Sequence, residues 1–110
     1  MPAAPNSAQT ALDLLVLTVL KRRSPLHGYG IANAIQELSE EALKIEEGSL
    51  YPALHRMQEA GWISAEWATT ENKRRARLYQ LTAAGKKRLV TETERWASFS
   101  KGVARVLKFA

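Results

Sequence analysis

Apolar residues recur at helical spacing near the start of the chain. Leu12, Leu15, Val16, Val19 and Leu20 form one stripe at i, i+3, i+4, i+7 and i+8, and Leu14 and Leu17 add a second apolar face. A surface helix needs only one such stripe, so this helix is predicted to be buried on two sides, the second against another subunit. Thr10 and Asp13 stand at capping-box spacing ahead of it, Lys21, Arg22 and Arg23 suit its negative end, and Ser24-Pro25 stops it. A short second helix follows Gly28 and Gly30, with Ile31, Ile35 and Leu38 on one face. Residues 37–47 are acidic and weakly patterned, which predicts a helix end and a connection.

The run Glu47-Gly-Ser-Leu-Tyr-Pro52 predicts a helix start near Gly48 or Ser49, because proline is tolerated in a first turn. Leu50, Leu54 and Met57 form its inner face. Ser49, Tyr51, Pro52, His55 and Arg56 fall on the start or the other faces, and Gly61 terminates the helix. From there the period shortens to two: Ile63, Ala65 and Trp67 alternate with polar or small residues, and Arg77 to Leu81 alternates again. This predicts a β-hairpin with a basic tip over residues 69–75. Thr82 caps a last helix running from about Ala83 to Lys108. In it Leu89, Trp96 and Val103 recur every seven residues, with Phe99 and Val106 three after the latter two, a seam interrupted by Glu92.

Three helices, a two-stranded hairpin and a long helix predict a mainly α protein with a small β-hairpin. The arrangement is a winged helix-turn-helix with a C-terminal dimerisation helix. The divisions follow: residues 1–9 a flexible N-terminal arm, 10–82 the winged helix-turn-helix, and 83–110 the dimerisation helix. The expected dimer residues are Leu14 and Leu17 on the first helix and Leu89, Trp96, Phe99, Val103 and Val106 on the last.

Composition changes this picture only through charge. The 110 residues carry a formal net charge of +5, and residues 71–110 hold 11 basic against 3 acidic side chains. Lys73, Arg74, Arg75, Arg77, Lys86, Lys87 and Arg88 form the densest stretch, uninterrupted by an acid. Such a one-sided field favours a polyanion, the plainer reading being a solvated face. There is no cysteine, which removes disulfides and thiolate chemistry. The opening residues have no basic leader and no apolar run reaches the ~18 residues of a span, so a cytoplasmic protein is expected.

A helix held by Leu50, Leu54 and Met57 turns its start and outer side to a groove, and the DNA major groove admits one helix. Tyr51 and His55 are one turn apart on that side with Arg56 beside them, and Ser49 stands at the start. Arginine grips guanine as a fork, and hydroxyls bond phosphates or base edges. Lys73, Arg74, Arg75 and Arg77 on the hairpin are placed to release counterions from the phosphate backbone. Each has a plainer alternative: Tyr51 packed on a neighbouring helix, His55 an ordinary exposed histidine, the arginines solvated.

Four short motifs carry a resemblance. His27-Gly-Tyr-Gly-Ile31, Gly48-Ser-Leu-Tyr-Pro-Ala-Leu-His-Arg-Met57, Gly61-Trp-Ile63 and Tyr79-Gln-Leu-Thr-Ala-Ala-Gly85 together resemble the PadR-like family of bacterial transcriptional regulators, in its short branch with a single C-terminal helix. The chain departs from the pattern at the wing, where Lys73-Arg-Arg-Ala76 replaces the usual glycine-arginine-proline tip. The resemblance implies a homodimer on an inverted-repeat operator, a repressor of a nearby operon released by a small aromatic, phenolic or drug-like molecule. It implies base and phosphate contacts from the helix at Ser49, with Tyr51 and Pro52 at its start, and backbone contacts from His27 and Tyr29. It also implies a dimer interface built by the first and last helices, with Trp96 placed to stack on a flat effector. Simple packing is the other reading of Trp96.

Enzyme readings find little support. His27 and His55 lack metal-ligand spacing, Gly28-Tyr-Gly30 is only a fragment of a dinucleotide fingerprint, and no serine stands in a nucleophile elbow. No cofactor is implied. The alternative to an operator-specific regulator is a sequence-indifferent basic nucleic-acid-binding or protein-interaction module without ligand control.

Overall fold

A computed structural model describes residues 7–69 and 71–108, with side chains from Thr10 onward. The elements follow the expected order: α1 (Ser7–Arg22), α2 (Gly28–Leu38), α3 (Glu47–Glu59), β1 (Ile63–Thr69), β2 (Arg75–Leu81) and α4 (Ala83–Lys108). The first difference is at α1, which begins three residues before Thr10, so Thr10 lies inside the helix instead of capping it. Residues 7–9 therefore belong to α1; the rest of the expected arm lies outside the described residues.

Local chemistry accounts for most of the other boundaries. The α2 N-cap is His27, whose Nδ1 accepts from the Gly30 N–H at 3.0 Å. α3 starts one to two residues earlier than expected, which moves Pro52 into its second turn, and its N-cap Glu46 makes no side-chain cap. It ends in a Schellman motif: Trp62 N–H donates to the Met57 carbonyl, Gly61 N–H to the Gln58 carbonyl, both at 3.0 Å, and Gly61 adopts φ +82°. Thr82 caps α4, its Oγ1 accepting from the Gly85 N–H at 3.0 Å and donating to the Gly61 carbonyl. A Cβ at Gly85 would lie 2.0 Å from the Trp62 carbonyl oxygen, so only glycine lets α4 start this close to the hairpin.

The strands pair antiparallel in unbroken register from Ile63↔Leu81 to Thr69↔Arg75. Leu26 adds an isolated antiparallel bridge to β2, exchanging both backbone hydrogen bonds with Tyr79. The core gathers Val16, Leu17 and Leu20 of α1, Ile31 and Ile35 of α2, Leu50, Leu54 and Met57 of α3, Ile63 and Tyr79 of the hairpin, and Leu89 of α4.

Two expected dimer residues belong to this core instead. Leu17 is 0% exposed and Leu89 7%, so both are already covered within one protomer. Both faces of α1 are largely covered within one protomer, because α4 folds back on it as α2 and α3 do. Glu92, which interrupts the apolar seam, is 3% exposed and ion-pairs with Arg88 and Arg95. Trp96 and Phe99 are half-buried against each other, ring centroids 5.7 Å apart. Beyond them α4 overhangs, with Val103, Val106 and Leu107 exposed. The overhang stretches the molecule to 55 × 29 × 23 Å and its radius of gyration to 15.2 Å, against ~13 Å for a compact chain of this length.

Candidate nucleic-acid interface

The start of α2, the outer side of α3 and one face of the hairpin enclose an open cleft of about 880 Å³. Its walls include His27 and Tyr29 from α2, Tyr51 and His55 from α3, and Arg74, Arg75 and Arg77 from the wing. Seven of the side chains singled out in the sequence thus meet in one place. Lys73 is exposed at the tip, in a left-handed turn at φ 58°, and does not line the cleft.

Each wall is set by a local device. Because His27 Nδ1 is occupied as an acceptor, the neutral ring carries its proton on Nε2 and has an N–H to offer a phosphate. Its ring stacks on that of Tyr29, centroids 6.2 Å apart, and Tyr29 stands 65% exposed. Tyr51 leans across the backbone of Gly28 and keeps 44% of its surface in solvent. It is therefore both packed and presented. His55 is exposed, its Nε2 at 3.0 Å from Glu59 Oε1 one turn on.

Three expected contacts lie elsewhere. Ser49, Pro52 and Arg56 line a different depression, with Leu12, Ile45 and Ala53, between α1 and α3. Arg56 grips Asp13 of α1 with a two-pronged fork at 2.9 and 2.7 Å. This fork raises the Arg56 pKa above its already high value, against the opposing effect of partial burial. The guanidinium predicted to read guanine is thus spent on tying α3 to α1. Arg77 is also partly withdrawn: it is half-buried and donates to Gln58 Oε1 at 3.2 Å.

Sequence reasoning missed Gln58, Trp67, Asn72 and Tyr79, which complete the cleft. Trp67 faces Arg77 across the hairpin and is 58% exposed, with the Arg75 and Arg77 guanidinium carbons 4.9 and 5.5 Å from its ring centroid. Alternation along β1 marks the face that Trp67 shares with Ile63 and Ala65, but only the register sets it beside the arginines. Burial pushes the Tyr79 phenol above its ordinary pKa, while the Arg77 charge pulls it the other way.

Aromatic, guanidinium and imidazole side chains line the cleft, and among its described lining residues there is no carboxylate, Glu59 reaching only the His55 ring. That surface suits a polyanion carrying flat groups. Among the described residues no cluster of histidine, aspartate or glutamate is arranged to hold a metal, and no helix is long and apolar enough to cross a membrane.

Comparison with known proteins agrees with this architecture. A transcriptional regulator from Clostridium thermocellum superposes with a TM-score of 0.81 at 26% identity, covering 92% of this chain and 97% of that one. A PadR family transcription regulator from Clostridium difficile gives a TM-score of 0.70 at 26% identity, over 87% and 97% of the two chains. A transcriptional regulator from Mycobacterium tuberculosis is 38% identical over 57 residues, an alignment spanning 52% of each protein. The model of the transcriptional regulator PadR-like family matches residues 16–91. With helix-turn-helix, wing and C-terminal helix all in place, the chain belongs to the PadR-like family of transcriptional regulators.

Proposed function

We propose that the protein is a cytoplasmic homodimer that binds an inverted-repeat operator and represses a nearby operon. Residues 10–82 bind DNA and residues 83–110 pair the protomers. In this reading α3 enters the major groove with Tyr51 and His55 toward base edges, while His27, Tyr29, Lys73, Arg74 and Arg75 hold the phosphate backbone. The observation that carries it is the cleft itself: aromatic and basic side chains from three elements converge on one open surface with no acid among its described lining residues. A dimer is supported by the overhanging end of α4, whose Phe99, Val103, Val106 and Leu107 form an almost wholly apolar patch. Trp96, in ring contact with Phe99, adjoins that patch, and Leu14 on α1 is partly exposed.

Release by a small aromatic effector rests on Trp96, which is half-buried beside Phe99 at the root of the overhang. A flat ring inserted between two protomers would stack there.

The test is footprinting on the DNA upstream of the protein's own coding region, with a scrambled duplex as competitor. A protected palindrome that outcompetes the scramble supports the reading. Equal affinity for both favours the sequence-indifferent alternative. Loss of tryptophan quenching by planar phenolics in Trp96→Ala would support the effector site.

A further inference from the structure

Of the connection between the wing strands, residues 71–74 are described: Glu71 and Asn72 form a turn, and Lys73 follows at positive φ. What steadies the wing against α3 is a stack of flat side chains. Gln58 Oε1 on α3 accepts from Arg77 Nη2 at 3.2 Å, and the Arg77 guanidinium lies over the Trp67 ring on the opposite strand. Arg75, two rungs further out on the same face, lies over that ring as well. Arg77 Nε is buried without a hydrogen-bond partner, so this guanidinium has given up water to hold its place. Trp67, by contrast, is mostly in solvent and is absent from the core.

We propose that Trp67 is a positioning residue for the DNA-binding surface. It clamps Arg77 against Gln58, which fixes the angle between wing and α3, and it aims the N–H edge of Arg75 at the phosphate backbone. The proposal rests on the DNA-binding reading above and deepens it. Guanidinium over indole is an attraction that a lysine ammonium or a truncated side chain reproduces poorly. A guanidinium lying over a ring face keeps its N–H groups for a fork to phosphate oxygens. Arg75 is thus a contact, and Arg77 a strut that carries no phosphate of its own.

The experiment measures affinity for a duplex bearing the footprinted upstream site and for a scrambled duplex, at several salt concentrations. The proteins are wild type, Trp67→Ala, Trp67→Phe and Arg77→Lys. Trp67→Ala is expected to lose about tenfold on the footprinted site and much less on the scramble, since its charges are intact. Trp67→Phe, which keeps a ring face, should recover most of the loss. Arg77→Lys should lose operator affinity while keeping the wild-type salt slope. Operator binding by folded Trp67→Ala within about twofold of wild type would overturn the clamp. Should Trp67→Ala not fold, the same decision passes to Arg77→Lys, whose unchanged operator affinity would overturn it. If the wild type protects no site and shows no salt-dependent binding, the DNA-binding reading fails first, an outcome distinct from failure of the clamp alone.

Discussion

Tyr51 rests so closely on Gly28 that a Cβ added there would sit 2.8 Å from its hydroxyl and from its ring carbon Cε1. Gly28→Ala is therefore expected to push the Tyr51 ring out of its seat at a cost of no more than about 1 kcal/mol, since the obstructing atoms are the far end of a side chain that can swing into solvent. Adding Tyr51→Ala should recover most of that loss, because the obstruction goes with the ring. Thermal unfolding of the two single variants and the double variant closes the cycle. Additive losses would mean that the two residues do not press on each other.

Arg56 and Asp13 make a different kind of pair. Asp13 is buried, so Arg56→Ala leaves a carboxylate without its fork, and the expected loss is about 2 kcal/mol, below the fully buried case because Arg56 is partly exposed. Its operator affinity, measured where the variant is folded, should show the wild-type dependence on salt. A flattened salt dependence would return Arg56 to the list of phosphate contacts.

The wing arginines are expected to behave in the opposite way. Arg74→Ala combined with Arg75→Ala should leave the melting temperature nearly unchanged and, with four arginines removed per bound dimer, reduce the slope of log affinity against log salt by about 2 to 4. An identical slope in the double variant removes these two side chains from the backbone contact.

Tyr79 gives the fold an alkaline limit. Its phenol is raised above the ordinary value of 10.0 by burial, so near that pH the unfolded chain loses the proton first. Stability associated with this group is complete below pH 10 and is lost as the pH climbs through the raised value. Denaturant midpoints measured from pH 8 to 11 should therefore decline less steeply in Tyr79→Phe than in wild type. Parallel curves would show that Tyr79 does not ionise differently in the two states.

The overhang of α4 offers the most direct test of assembly. Val106 is 70% exposed, so Val106→Glu has little to disturb within one protomer. Light scattering should report a dimer for wild type and a monomer for the variant. A monomeric wild type at micromolar concentration would refute the paired arrangement.

What could be read from the chain alone divides by range. Gly61 and Thr82 set the ends of α3 and α4 through backbone bonds to residues three to five positions away, and such signals survive in sequence. The start of α1 was misjudged because Asp13, apparently part of a cap, answers to Arg56 43 residues later. His27 was found through the family motif and not as a cap, since histidine is not among the usual capping residues. Periodicity showed which side of α3 is greasy, yet it could not say that Arg56 faces α1 while His55 faces the wing. The heptad seam of α4 was real as a pattern but split in use: Leu89 faces its own protomer, and only the far end is left over. Trp67 needed the strand register, which nothing local specified.

That left-over end makes abundance itself a variable. If the last turns of α4 find cover only in a twin, the DNA-competent species is second order in chain. Halving the supply would then cut occupancy of a weak site to about a quarter. A regulator seated on its own gene in this way would switch over a narrower range of concentration than any single subunit could, through mass action on a greasy helix tip.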